Sequence, residues 1–155
     1  MKRIVKILKD KKYTISAMES CTGSYFVNCI TNIPGASEVL KFSATTYSNE
    51  FKIKMGVNKK IIDKYSVYSI ETAKEMSKSI SDFTKSDYGV GITGKINRID
   101  KNNLFGKDNL VYISIYNKNN KKYYTDTIKT RRVSRKLNKV IIVNKVIRLL
   151  KKIIR

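Results

Sequence analysis

The chain has 155 residues, enough for one domain to bury a core without disulfide or metal staples. Its apolar content of 41% excludes a disordered chain, and no apolar run is long enough to span a membrane. The net charge of +21 favours anionic ligands, while the absence of histidine excludes a Ser-His-Asp triad and a Cys-His pair.

The N-terminal stretch MKRIVKILKDKK is basic but lacks the apolar core and cleavage site of a leader peptide. It is read as the start of a cytoplasmic chain. Residues 2–10 predict a short helix with Ile4, Val5, Ile7 and Leu8 apolar. Residues 13–18 (YTISAM) alternate and predict a strand. The next stretch, AMESCTGSYF, crosses from strand into helix through five small or hydroxylated residues, Ser20 to Ser24. Residues 23–32 put Tyr25, Phe26, Cys29, Ile30 and Ile33 on one helical stripe, which makes Cys29 a buried free thiol. With no histidine, Cys21 and Cys29 argue against a structural metal.

NIPGAS is a turn around Pro34 and Gly35. Residues 42–48 (FSATTYS) predict a strand, followed by helices around Glu50–Met55 and Lys59–Tyr65. Ser69 is suited to cap a helix reaching Phe83, with Ala73, Met76, Ile80 and Phe83 on its apolar stripe. YGVGITG (88–94) predicts a buried strand whose glycines permit close approach. Residues 95–108 form a polar loop. NLVYISIY and KYYTDTIK predict a hairpin, and the last helix runs from about Val133 to Ile153. Strands interleaved with helices and joined at the end by a hairpin indicate an α/β protein: a three-layer α/β/α sandwich with a mixed sheet, one domain over 1–155.

Lysine is spread along the whole chain, and the densest basic stretch, 129–152, distributes its charge around an amphipathic helix. That is a solvated face. Nucleic acid is expected to bind only non-specifically and at low salt.

Two strand-to-helix crossings carry the candidate chemistry. At the first, Ser20 falls where open α/β sheets expose ligand-binding residues. The first N–H groups of the following helix could hold an oxyanion or a phosphate. The alternative is that Ser20, Thr22 or Ser24 only caps that helix. At the second crossing, TTYSNEFK, Tyr47 could hold or relay a proton and Asn49 could cap. Lys52 would lie one turn into the helix. Without histidine, a nucleophilic serine needs another base, and a lysine whose pKa is lowered can serve.

Together, ESCTG (19–23), TNIPGAS (31–37), YSNEFK (47–52), MGV (55–57), YSVYS (65–69) and GITG (91–94) resemble the CinA C-terminal domain family, in its stand-alone, PncC-type form. The resemblance covers essentially the whole chain. It implies a metal-free, cofactor-free Ser/Lys amidohydrolase of NAD metabolism. That activity deamidates nicotinamide mononucleotide to nicotinate mononucleotide and ammonia. The resemblance also implies a homo-oligomer, a pyridine nucleotide as ligand and no membrane partner. By position it makes Ser20 the nucleophile, Lys52 the general base and Tyr47 a further catalytic group. It puts Thr22, Gly23, Asn49, Thr93, Gly94 and Arg135 around the substrate.

The family's Gly- and Pro-rich loop after its TG is replaced here by KINRIDKNNLFGKD. Lys95, Arg98, Lys101 and Lys107 are expected to meet the ligand by side chain, from a loop mobile without it. A weakened nucleotide-binding or interaction module of the same family is the alternative function. A hydrogen bond between Ser20 Oγ and Lys52 Nζ is the geometric expectation of the amidase reading.

Overall fold

The computed structural model describes residues 1–154. Helix α1 (Lys2–Asp10) leads into strand β1 (Ile15–Glu19), and helix α2 (Tyr25–Thr31) follows the Ser20–Ser24 turn. A 3-10 turn (Ala36–Glu38) precedes β2 (Leu40–Thr45), then come α3 (Asn49–Lys54), α4 (Lys59–Tyr65) and α5 (Ile70–Thr84). Strand β3 (Tyr88–Gly94), the hairpin of β4 (Leu110–Asn117) and β5 (Lys122–Lys129), and α6 (Arg135–Ile153) complete the chain.

The five strands form one sheet in the order β2-β1-β3-β4-β5. Strands β2, β1 and β3 are parallel; β4 and β5 run antiparallel to their neighbours. The sheet is therefore mixed. Alternation along β1 sorts the layers. Ile15 and Ala17 face a core shared with Ile4, Val5 and Leu8 of α1, Phe26 and Ile30 of α2, and Ile142, Val143 and Val146 of α6. Met18 faces the opposite core, with Ile62 of α4 and Met76 and Ile80 of α5. This is the three-layer sandwich that the sequence predicts.

Strand β3 explains its own glycines. A Cβ on Gly89 would lie 1.9 Å from the Ser77 carbonyl oxygen, and one on Gly91 would lie 2.3 Å from that of Ala73. Helix α5 thus packs directly on the β3 backbone, an approach only glycine allows. Its start is the expected one: Ser69 Oγ accepts from the Thr72 N–H at 3.1 Å.

Four expectations are corrected. Phe83 is 64% exposed rather than on the buried stripe of α5: at the end of the helix it is Thr84 that faces the sheet, accepting from Ser16 Oγ of β1 at 2.9 Å, and Phe83 lies against Phe42 of the edge strand. Cys29 is only half-buried, since α2 turns Phe26 and Ile30 inward. Strand β2 begins at Leu40 and ends at Thr45, pulled back by its register with β1. Helix α6 starts at Arg135, after its cap Ser134, whose Oγ accepts from the Leu137 N–H at 3.2 Å.

Candidate active site

The parallel strands β1, β2 and β3 end at the same edge of the sheet, and each runs straight into a turn. An open cleft of about 850 Å³ lies there. Ser20 and Cys21 line it from the end of β1, Tyr47, Ser48 and Asn49 from the end of β2, and Gly94 and Lys95 from the end of β3. The 95–108 loop, Tyr68 and Arg135 close its sides. A ligand site at the carboxyl ends of parallel strands is the general placement in open α/β sheets.

Glu19 builds the first turn. Its carboxylate is buried and accepts three hydrogen bonds: from Thr22 Oγ1 at 2.6 Å, the Phe26 N–H at 3.2 Å and the Val27 N–H at 3.1 Å. It thereby caps α2 from the preceding strand. The caps expected at Ser20, Thr22 or Ser24 are not made. Ser24 is the N-cap residue but its hydroxyl pairs with Thr45 Oγ1 at 2.5 Å. Gly23 and Ser24 both take left-handed backbone, with φ of 59° and 63°, which reverses the chain over two residues. Burial pushes the Glu19 carboxyl above its ordinary pKa, against the pull of its hydrogen bonds and the Lys139 charge.

With Phe26 and Val27 committed to Glu19, the first N–H groups of α2 are not available to an oxyanion. In the turn itself, the Ser20 N–H bonds the Ile92 carbonyl and the Gly23 N–H bonds the Ser20 carbonyl, each at 3.0 Å. The Cys21 and Thr22 amides make no backbone bond among the described residues. An oxyanion site, if built from this turn, is at the residues just after Ser20.

Lys52 reaches this region from α3. It is 1% exposed, and Nζ donates to the Thr46 carbonyl at 2.6 Å. Burial lowers its pKa from an ordinary 10.5 to about 8, with the nearby Cys21 and Asp100 groups opposing the fall. The expected hydrogen bond to Ser20 is not formed; Ser20 Oγ has no hydrogen-bond partner among the described residues. Ser48, rather than Asn49, caps α3: its Oγ accepts from the Phe51 N–H at 3.2 Å. Cys21, next to the serine, is a poor competitor as nucleophile because burial pushes its thiol up to about 12.

Among the remaining predicted site residues, Tyr47 and Arg135 meet at the rim, where Arg135 Nη2 donates to Tyr47 Oη at 3.2 Å. Asn49 and Gly94 line the cleft. Thr22 and Thr93 do not. Both are buried, one bonded to Glu19, the other donating to the Val67 carbonyl at 2.9 Å. Gly23 is exposed beside Lys139 and does not line the cleft.

The 95–108 loop, expected to be mobile without ligand, makes three tertiary side-chain contacts. Tyr68 Oη donates a short hydrogen bond to Asp100, Asn49 Nδ2 donates to Asn103 Oδ1 at 2.8 Å, and Lys95 pairs with Asp108 at 3.0 Å. Lys95, expected to reach for ligand, is buried with its ammonium between Asp108 and the Tyr68 ring. Reading the sequence misses Glu19, Tyr68, Asp100 and Asn103. The glutamate at a strand end just before a helix is a signal for the first; the others come together only through the fold.

The family model of the CinA C-terminal domain matches residues 1–154. The chain belongs to the CinA C-terminal domain family. A relative named as a competence-damage inducible protein, from Clostridium kluyveri, is 41% identical over 114 residues, covering 73% of this chain and 28% of the relative. One from Caldanaerobacter subterraneus is 42% identical over 92 residues, covering 59% of this chain and 22% of the relative. The chain thus spans under a third of the length of these curated relatives. Solved CinA-family folds match closely. The competence/damage inducible protein CihA of Agrobacterium tumefaciens superposes with a TM-score of 0.82 at 22% identity, covering 96% of this chain and 92% of that one. A CinA superfamily protein of Klebsiella pneumoniae gives 0.87 at 16% identity, covering 97% and 92%.

Proposed function

We propose that this CinA-family domain is an amidohydrolase that converts nicotinamide mononucleotide to nicotinate mononucleotide and ammonia. The observation that carries the reading is the buried amine of Lys52, whose pKa burial brings down to about 8, beside a cleft lined by a serine whose hydroxyl has no hydrogen-bond partner among the described residues.

In this reading the neutral Lys52 amine takes the Ser20 hydroxyl proton as Oγ attacks the carboxamide carbon. The oxyanion is met by the unpartnered amides after Ser20. The C–N bond breaks, the proton passes from Lys52 to the leaving nitrogen, and ammonia departs. Water, deprotonated by the same amine, then hydrolyses the acyl ester. Tyr47 and Arg135 sit at the rim, where Arg135 and Arg98 supply cations for a phosphate. A cleft of about 850 Å³ is large enough for a mononucleotide.

The test is to quench the protein in acid during turnover and map the acyl adduct by peptide mass spectrometry. An adduct on Ser20 supports the assignment. One on Cys21 or Thr22 moves the nucleophile.

A further inference from the structure

The loop that replaces the family's glycine-rich segment brings a carboxylate and an amide to the cleft wall, and their donors all run one way. Asp100 Oδ2 accepts from Tyr68 Oη and from Asn103 Nδ2, the latter at 2.9 Å, while Oδ1 accepts from the Asn102 N–H at 3.0 Å. Burial alone would raise the Asp100 pKa, but these hydrogen bonds and the Lys95 charge outweigh it and hold the carboxyl below its ordinary value. Asp100 is therefore an acceptor and never a donor here.

That fixes the two amides in series. Asn103 must turn Nδ2 to Asp100, so it presents Oδ1 to Asn49. Asn49 must then turn Nδ2 to Asn103, and does so at 2.8 Å. Asn49 Oδ1 has no partner among the described residues and is not among the buried atoms left unpaired, so it is an accessible, uncommitted acceptor on a residue that lines the cleft. Reversing Asn49 would put an N–H2 donor where Oδ1 stands and would set two donors against each other at Asn103.

We infer that Asp100, through Asn103, positions Asn49 Oδ1 as an obligate acceptor that selects a ligand carrying an N–H donor: a carboxamide rather than the corresponding carboxylate. This rests on the amidase reading and adds to it a means of preferring substrate over product. A carboxamide offers N–H to Oδ1. A carboxylate has none and meets an acceptor with its own negative oxygens. Asp100 and Asn103 are positioning residues, since they act through Asn49.

The relay is read without ligand from side-chain amide exchange in 15N-labelled full-length protein. The Asn49 and Asn103 amide protons are expected to be protected in the parent and to lose protection in Asp100→Ala. Selectivity is read by calorimetric binding of nicotinamide mononucleotide and nicotinate mononucleotide to Ser20→Ala protein, which cannot turn over. The parent should prefer the carboxamide, and Asp100→Asn or Asn103→Leu should each cut that preference about tenfold. An unchanged preference in Asp100→Asn and Asn103→Leu, with turnover intact in the wild-type protein, overturns the inference alone. Binding of neither nucleotide overturns it together with the amidase reading.

Discussion

Lys52 Nζ donates to the carbonyl of Thr46 at 2.6 Å, and the side chain is otherwise sealed in the protein with no carboxylate partner among the described residues. The Thr46 hydroxyl beside it is buried and unpaired. A lone ammonium in that position is costly. The cost fits the proposed mechanism, in which the same burial that destabilises the cation prepares the base.

Replacing Lys52 should therefore stabilise the fold while abolishing activity. The folded-state pKa of about 8 lies below the unfolded 10.5. Between those values the unfolded chain binds more protons, so stability rises with pH across that window and the cost is full below it. Lys52→Met should gain about 1–3 kcal/mol at pH 7 and lose that advantage by about pH 10.5. Denaturant unfolding at the two pH values checks this. Equal destabilisation at both would mean that the lysine is a structural support.

In the proposed mechanism the same group sets the pH dependence of catalysis. A base must be deprotonated, so kcat/KM should climb about tenfold per pH unit at acid pH and level off above about 8. A profile flat from pH 6 to pH 9 would exclude Lys52 as the base.

Glu19 predicts a different response. Its carboxylate replaces a helix cap and holds the turn that carries Ser20. Glu19→Ala should cost about 2–3 kcal/mol, since three donors lose their acceptor. Glu19→Gln keeps one acceptor oxygen and removes a buried charge, so it should cost under about 1 kcal/mol. Thermal unfolding of the two variants compares them directly.

The charge of +21 predicts weak, sequence-independent binding to nucleic acid. Gel-shift titrations should show binding at low salt that vanishes at physiological ionic strength. Persistence there with sequence preference would point to a dedicated nucleic-acid interface.

The order of elements was legible because periodicity, the Ser69 cap and the β3 glycines each report local physics. The edge that carries the cleft was legible too, since Ser20, Tyr47 and Gly94 all sit where a strand ends. Local reasoning failed where a distant group took the role a neighbour could have played. Glu19 displaced the serine and threonine caps. Asp108 claimed Lys95. Asp100 and Asn103 tie the polar loop to Tyr68 and Asn49. Such choices depend on which side chains the sheet brings together, and sequence spacing does not encode that.

The amidase assignment stands or falls on incubating the purified protein with nicotinamide mononucleotide and following nicotinate mononucleotide and ammonia, with Ser20→Ala and Lys52→Met alongside. The wild-type protein should release both products in equimolar amounts, and each variant should lose several orders of magnitude, with the double variant little worse than either. Full activity in Ser20→Ala, or no products from the wild-type protein, would contradict it.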